Sequence, residues 1–281
     1  MHDNMKNGIL RVLLVGDVVG LPGRTMFQKY SHHLRKEYDL DALIVNGENS
    51  GSAGRGISSK IVHFFKHNGA DVITSGNHIW YNKEIYNYLA HNNDLLRPDN
   101  FPSECPGTGV TTFECKGFTI GVINLQGRVF MRELVNCPFR AADSALTYLR
   151  SKTSIIFVDF HAETTAEKLG LAYYLDGKVS GFVGTHTHVQ TADERILPGG
   201  TGYITDLGMG GSLNSMIGMQ KESIIRTMMT QMPEKFVVDT QGPFVLSGVV
   251  IDVDPKTGHA VGIERVRIID NELKIDDAKE L

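Results

Sequence analysis

The run ILRVLLVGDVVG at residues 9–20 decides the fold of this 281-residue chain. Its first part, Ile9 to Val15, is almost continuously aliphatic, which is typical of a strand covered on both faces in a parallel sheet. The run reaches Gly16 and Asp17, and the segment from Arg24 to Tyr38 then repeats apolar residues at the helical period. The sequence therefore predicts a strand, a loop and a helix, with Asp17 at the carboxyl end of the strand.

The same unit recurs twice downstream. Ala42 to Val45 predicts a second buried strand, followed by NGENS at residues 46–50, and Asp71 to Thr74 predicts a third, followed by SGNH at residues 75–78. Ser58 is a candidate N-cap for the helix between them. Open α/β sheets bind ligands beyond the carboxyl ends of their strands, so these polar strand ends predict a site at one edge of the sheet.

The remaining pattern predicts a mixed sheet rather than a purely parallel one. Val110 to Phe113 and Phe118 to Ile123, joined by a short Lys-Gly turn, are typical of a hairpin. Further predicted strands occupy Ile155–Phe160, Val179–Gly184, Thr201–Thr205, Phe244–Val253 and Val261–Ile269. Further predicted helices occupy Asn82–Ala90, Pro138–Arg150, Thr164–Leu175 and Ile224–Met232. No linker interrupts the pattern, so we interpret residues 1–281 as a single α/β domain.

Two histidines stand in GTHTH at residues 184–188, directly after an apolar run. If that run is a strand, His186 and His188 project to the same side and could bind metal. Residues of metal-ligating or proton-carrying type also follow four other predicted strands. The candidate site residues are Asp17, Glu48, Asn49, Asn77, His78, His161, His186 and His188. Carboxylates, imidazoles and amide oxygens suit two divalent cations such as iron, manganese or zinc, and no thiolate is needed.

Composition bounds the function. The chain has 28 basic and 32 acidic residues, a net charge of −4 and no basic cluster, so we predict no stable binding to nucleic acid or to an anionic membrane. Cys105, Cys115 and Cys137 lack C-x-x-C spacing, which indicates neither a disulfide framework nor a thiolate zinc knot and favours a reducing cytoplasm. The first apolar run meets Asp17 before it could form a signal sequence or span a membrane.

The order of these residues resembles that of the calcineurin-like metallophosphoesterases. That superfamily carries an Asp after the first strand, a bridging acid, G-N-H, a lone His and G-x-H-x-H, and all five occur in order over nearly the whole chain. The closer resemblance is to its bacterial YmdB-like branch. The segments that carry it are GDVVGLPGR at residues 16–24, NGENS at 46–50, SGNHIW at 75–80, DFHAETTAEK at 159–168 and GTHTHVQTADE at 184–194.

The resemblance implies a four-layer α/β/β/α sandwich with mixed sheets. It also implies a phosphodiesterase that acts on small phosphodiesters, with 2′,3′-cyclic nucleotides as the substrates in the closer branch. The implied cofactors are two divalent or mixed-valence metal ions, iron in the first place, with manganese or zinc as alternatives. The implied ligands are Asp17, Glu48 and His188 for one metal and Glu48, Asn77, His161 and His186 for the other.

That scheme also implies a role for each group at the site. Glu48 would bridge the two metals, and Asn49 would be a further ligand or a donor that orients the ligands. A hydroxide between the metals would attack phosphorus in line, because bound metals lower the pKa of water. His78 would protonate the leaving oxygen as general acid, a role for which histidine, with an ordinary pKa of about 6.5, is well suited.

The chain departs from the wider superfamily at two positions. Val19 stands where the D-x-H pattern that begins at Asp17 would have a histidine, and Glu48 replaces the usual bridging Asp. Both features resemble the closer branch, and they leave the identity of the metals open.

The sequence is compatible with other functions as well. A phosphomonoesterase, a metal-dependent amidohydrolase, and a regulatory or scaffold protein that keeps its metal for structure are alternatives to a phosphodiesterase. Arg24, Arg55 and Arg128 could each contact a phosphate or form a structural ion pair. The methionines at 209, 216 and 219 predict core packing or a flap. A homo-oligomer is also possible, because such assemblies are common.

Overall fold

The computed structural model describes residues 8–275. The strands, in chain order, are β1 (Leu10–Val15), β2 (Asp17–Val18), β3 (Ala42–Asn46), β4 (Val72–Thr74), β5 (Val110–Cys115), β6 (Phe118–Gln126), β7 (Ile155–His161), β8 (Gly181–Thr185), β9 (Arg195–Ile196), β10 (Gly202–Ile204), β11 (Met209–Ser212), β12 (Phe244–Val253) and β13 (Ala260–Asp270). The helices are α1 (Gly20–Glu37), α2 (Ser59–His67), α3 (Ile85–His91), α4 (Pro138–Arg150), α5 (Thr165–Leu175) and α6 (Lys221–Thr230).

The first sheet has seven strands in the order β2-β11-β12-β1-β3-β4, with β13 beside β12. Strand β1 is parallel to β3, where Val12 pairs with Ala42, and β3 is parallel to β4. Strand β12 lies antiparallel to β1 on its other side, where Leu10 pairs with Val253. The parallel part brings the carboxyl ends of β1, β3 and β4 to one edge, as the repeated units predict.

The second sheet has six strands in the order β5-β6-β7-β8-β10-β9. Strands β5 and β6 form the predicted antiparallel hairpin, and β6, β7 and β8 are parallel. The register places Gln126, His161 and Thr185 side by side, each as the last residue of its strand. The end of β7 is therefore level with the start of the GTHTH loop.

The first strand shows why its sequence is aliphatic at almost every position. Leu13 and Val15 pack into the cluster below α1 and α2, whereas Leu10, Val12 and Leu14 pack into the cluster between the two sheets. Successive side chains of a strand point to opposite faces, so both faces need apolar residues. Each buried aliphatic side chain contributes about 1.5–3 kcal/mol to folding.

Helices close both outer faces of the sheet pair. Phe27 of α1 and Phe65 of α2 lie in the first core, and Leu146 of α4 and Leu171 of α5 lie in a third core against the second sheet. The layers are thus helix, sheet, sheet and helix. The prediction of a four-layer α/β/β/α sandwich with mixed sheets is confirmed.

Several element boundaries differ from their predictions. Helix α1 begins at Gly20 rather than Arg24, so Pro22 lies in its first turn, where an amide hydrogen would have no helical partner anyway. Helix α3 begins at Ile85 rather than Asn82, and α6 covers Lys221–Thr230 rather than Ile224–Met232. The predicted caps at Ser58 and Thr164 are confirmed, because each hydroxyl accepts a bond from the amide three residues later.

The single domain over residues 1–281 remains a prediction, and residues 1–7 and 276–281 lie outside the described range. None of the helices within residues 8–275 combines the length and hydrophobicity needed to cross a bilayer.

Candidate metal centre

The eight predicted site residues come together where the carboxyl ends of the two sheets meet. Asp17 follows β1, Glu48 follows β3 and Asn77 follows β4 in the first sheet. His161 ends β7, and the two histidines of GTHTH follow β8 in the second sheet. Each of the eight lies within 4 Å of another member through polar side-chain atoms.

His161 is the centre of the cluster. Its Nε2 atom lies 3.1 Å from Oε1 of Glu48, 3.0 Å from Oδ1 of Asn77 and 3.0 Å from Nδ1 of His186. One ring nitrogen carries at most one hydrogen, so it cannot bond all three partners at once. Nitrogen and oxygen ligands about 2.1 Å from one cation and at right angles lie about 3 Å apart, so the spacing fits a shared divalent cation.

A second group lies beside the first. Oδ1 of Asp17 is fully buried and accepts no hydrogen bond from the described residues, while it lies 3.7 Å from Nε2 of His188. The other oxygen of Asp17 accepts the amide hydrogen of His186 at 3.1 Å. A buried carboxylate oxygen without a donor is unfavourable unless a cation balances it. Glu48 lies between the two groups, so the donor set fits two metals.

Hydrogen bonds fix the orientation of the His161 ring. The hydroxyl of Thr185 donates to Oδ1 of Asp159 at 2.7 Å and lies 3.0 Å from Nδ1 of His161. Because that hydroxyl has a single hydrogen, it accepts from His161, and Nδ1 of His161 carries a hydrogen. Nε2 then faces the cluster, as a metal ligand must.

The other two histidines are held in the same manner. Nε2 of His186 lies 3.2 Å from Oε2 of Glu163, which leaves Nδ1 directed at His161. Nδ1 of His188 lies 2.9 Å from the carbonyl oxygen of Ile217, so it donates, and Nε2 is directed at Asp17. In each ring, one nitrogen has a polar partner outside the cluster and the other points into it.

Asn49 connects His78 to the cluster. The side-chain oxygen of Asn49 lies 2.8 Å from Nδ1 of His78, and its nitrogen lies 3.1 Å from Glu48 and 3.0 Å from Nε2 of His188. His78 donates through Nδ1, so its Nε2 is available to a substrate. The amide nitrogen of Asn49 faces the cluster, which favours an orienting role over ligation.

Burial and mutual charge shift the pKa values of these groups. Burial raises the pKa of Asp17 to about 6. Burial opposes ionisation of Glu48 too, but the charge and hydrogen bond of His161 hold the pKa of Glu48 well below its ordinary value. Burial acts to lower the pKa of His161, yet Glu48 raises it to about 9. Burial and the charge of His161 lower the pKa of His186 to about 3. Glu48 and His161 thus form a buried ion pair whose proton a cation could replace.

The two GTHTH histidines converge for a different reason than predicted. Strand β8 ends at Thr185, so the alternation of side chains along a strand does not apply to His186 and His188. Both residues have positive φ angles, 99° and 64°, which non-glycine residues rarely adopt. A tight loop that bonds to Asp17 and Ile217 brings them to the cluster, and such backbone strain is typical of functional sites.

Gly76 allows the two sheets to meet. A β-carbon at this position would lie 2.2 Å from Cδ2 of His161 and 2.3 Å from Oε2 of Glu48. Both distances are far below van der Waals contact, so the approach of these two residues requires a glycine between them.

The three arginines that could contact a phosphate lie in different surroundings. Arg24 is buried and donates to the carbonyl oxygen of Ser50, and Arg128 is exposed on another loop, whereas Arg55 lines the site cavity. Val19, at the position of the missing histidine, is buried in an apolar cluster with Met219.

Sequence reasoning missed three residues that hold the ligands: Glu163, Thr185 and Ile217. The first two lie inside the quoted DFHAE and GTHTH segments, two residues and one residue from a predicted ligand. No sequence pattern indicates the role of Ile217, because this residue acts through its backbone carbonyl.

The cluster forms one wall of a cavity of about 520 Å³. His78, His186 and His188 line it, so the proposed acid and two of the proposed ligands are open to a substrate. A volume of this size is typical of small-molecule sites.

Comparison with known proteins places the chain in a family. The model of the YmdB-like protein family matches residues 13–266. The 2′,3′-cyclic-nucleotide 2′-phosphodiesterase of Bacillus subtilis strain 168 is 48% identical over 264 residues, which are 94% of this chain and 99% of that protein. Two solved structures are 35% identical to this chain. One, of a novel phosphatase from Mycoplasma pneumoniae, has a TM-score of 0.87 and covers 94% of each chain. The other, of a hypothetical protein from Thermus thermophilus, has a TM-score of 0.86 and covers 93% of this chain and 100% of that one.

Two mixed sheets with carboxylates, imidazoles and an amide at their shared edge define a protein of the calcineurin-like metallophosphoesterase class. Within that class, the chain belongs to the YmdB-like family. The family prediction made from the sequence is confirmed.

Proposed function

We propose that this protein is a two-metal phosphodiesterase that hydrolyses 2′,3′-cyclic nucleotides. One observation carries the proposal. Nε2 of His161 lies 3.0–3.1 Å from three atoms that can each bind a metal, and these are Oε1 of Glu48, Oδ1 of Asn77 and Nδ1 of His186. The activity of the Bacillus subtilis relative, which matches 94% of this chain, supplies the substrate class.

The proposed ligands follow the two groups of the cluster. Asp17, Glu48 and His188 would hold one metal, and Glu48, Asn77, His161 and His186 would hold the other. Glu48 would be shared, because it lies between the groups and is fully buried. Asn49 would orient Glu48 and His188. Iron is the proposed metal because the family resemblance implies it, and manganese or zinc would also suit nitrogen and oxygen donors.

The two cations would supply an activated water and would neutralise charge on the phosphoryl oxygens. The protein groups would do the rest. Asn49 holds Nδ1 of His78, so Nε2 can carry a proton to the leaving oxygen of the sugar. Arg55, on the cavity wall, would attract the anionic substrate.

A phosphomonoesterase is the second candidate function, because the Mycoplasma pneumoniae relative is described as a phosphatase. The substrate is a small phosphodiester in the first case and a monoester in the second. A cytoplasmic location and a homo-oligomeric state remain predictions.

Hydrolysis by the metal-loaded protein tests the proposal. Purification without oxygen, loading with iron and incubation with adenosine 2′,3′-cyclic phosphate should yield a single nucleoside monophosphate. Glu48→Gln should remove this activity. If the wild type hydrolyses adenosine monophosphates but no cyclic phosphodiester, the phosphomonoesterase is correct. If it hydrolyses neither, the regulatory alternative is favoured.

A further inference from the structure

The cavity beside the metal centre has two chemically different walls. One wall is polar and contains the cluster, with Arg55 at its margin. The other wall is formed by helix α6 and the segments on either side of it. The side chains of this second wall are Met216, Ile217, Met219, Ile224, Thr227, Met228 and Phe236. A phosphodiester alone would need only the first wall.

The apolar wall is anchored to the core. Met219 and Ile224 belong to a buried cluster with Val19 and Val238, and Met216 and Phe236 pack against it. The wall is also connected to the metal centre, because the carbonyl oxygen of Ile217 accepts a hydrogen bond from Nδ1 of His188. A group bound against this wall is therefore held at a defined distance from the proposed ligands.

Thr227 adds an unused polar group to this wall. Its hydroxyl oxygen is buried, and no described residue bonds to it. Thr230 on the same helix differs, since its hydroxyl donates to the carbonyl oxygen of Arg226 at 2.7 Å. Buried hydroxyls nearly always have a partner. A polar atom of a ligand in the cavity would provide one for Thr227.

We infer that the wall formed by α6 binds the heterocyclic base of a nucleotide substrate while the polar wall binds its phosphate. This inference rests on the proposed function and adds to it the place in the cavity where the base of the cyclic nucleotide binds. A base has two apolar faces and a polar edge, and methionine and isoleucine side chains match the faces. The hydroxyl of Thr227 can donate or accept, so it can meet the edge of any base.

The chemistry of the wall also predicts the breadth of specificity. Methionine side chains are flexible and adapt to ligands of different shape. The threonine hydroxyl does not distinguish donors from acceptors. The protein should therefore require a base but accept both purines and pyrimidines.

Comparison of two substrates with the same reacting group tests the inference. One is adenosine 2′,3′-cyclic phosphate and the other is 1-O-methylribose 2′,3′-cyclic phosphate, which has no base. The metal-loaded wild type should prefer the first by about tenfold or more in kcat/KM, mainly through KM. Met228→Ala and Thr227→Val should each reduce this preference by about fivefold. Met229→Ala and Thr230→Val change neighbours on α6 outside the cavity lining and should leave the preference unchanged.

A binding measurement separates the inference from the proposed activity. Adenosine carries the base without phosphate, and saturation-transfer NMR should show contact between its base protons and the wild type, reduced in Met228→Ala. Equal kcat/KM for the two substrates, or no transfer to adenosine, would overturn the inference while leaving the phosphodiesterase intact. Hydrolysis of neither substrate together with base-proton transfer would overturn the proposed activity and retain the base site.

Discussion

The hydroxyl of Thr185 lies 3.0 Å from Nδ1 of His161 and donates its only hydrogen to the buried carboxylate of Asp159. This relationship fixes the hydrogen on Nδ1 and directs Nε2 of His161 at Glu48. Residues that orient a ligand in this way commonly contribute a factor of about 10–100 to metal affinity. A threonine that touches no proposed metal thus becomes part of the metal centre.

Replacement of Thr185 by valine tests its role. The shape is kept and the hydroxyl is lost, so His161 loses its orienting acceptor. We expect the affinity for the metal that binds His161 to fall by about 10–100-fold. Metal titration of the metal-free protein measures this affinity. Thr185→Ser is the matched control, because it keeps the hydroxyl and should bind metal almost normally. Equal affinity in the valine variant would show that the hydroxyl does not orient the ring.

Gly76→Ala should reduce metal binding by more than half. The added methyl group would overlap both His161 and Glu48, so the two residues could no longer approach each other. Elemental analysis of the purified variant should find less than half of the wild-type metal content. Gly170→Ala in helix α5 is the control, since the nearest atom to its β-carbon is 3.8 Å away. That variant should keep its metal and gain about 0.5–1 kcal/mol of stability. Full metal content in Gly76→Ala would contradict the close approach.

His78→Ala should retain metal and lose turnover. His78 bonds to Asn49 and lies outside both proposed ligand sets, so its removal leaves the metals in place. Loss of a general acid lowers kcat by about 10²–10⁴-fold. Steady-state kinetics and metal content, measured on the same preparation, test both parts. His33→Ala, an exposed position on α1, is the control. Near-normal turnover in His78→Ala would exclude the acid role.

Metal uptake should release protons. In the metal-free protein the pKa of His161 is raised to about 9, so its Nε2 carries a proton at pH 7 that a metal must displace. The apparent affinity should therefore rise by about tenfold per pH unit from pH 7 to pH 9 and become flat above pH 9. Calorimetric titration in buffers of different ionisation enthalpy counts the released protons. An affinity that is independent of pH over this range would mean that His161 is not displaced from a protonated state.

Local sequence pattern was enough to predict the buried strands and the polar residues that follow them, whereas the four-layer arrangement was predicted from the family resemblance. Buried strands are aliphatic on both faces, as the alternation from Leu10 to Val15 shows, and each polar strand end follows directly in the chain. The place of β12 between β1 and β13 was not predicted. Its pairing with β1 joins residues more than 200 positions apart, and hydrophobic periodicity carries no information about partners at that distance.

The contacts that orient the ligands were also beyond sequence reasoning. Glu163 and Thr185 were visible within the motifs, but their roles depend on which ring nitrogen they face. The convergence of His186 and His188 comes from positive φ angles in a loop, whereas the sequence suggested a strand. The apolar wall of α6 was predicted only as a helix and a group of methionines, since its position over the site is a tertiary property.

Metal stoichiometry tests the central claim most directly. Protein purified without oxygen and loaded with iron should contain two metal ions per chain by elemental analysis, and Glu48→Ala should contain at most one, because Glu48 is the proposed bridge. Two ions in the wild type and at most one in the variant are the predicted result. A wild type that binds one ion or none, or a Glu48→Ala variant that keeps both with unchanged affinity, would contradict the two-metal account.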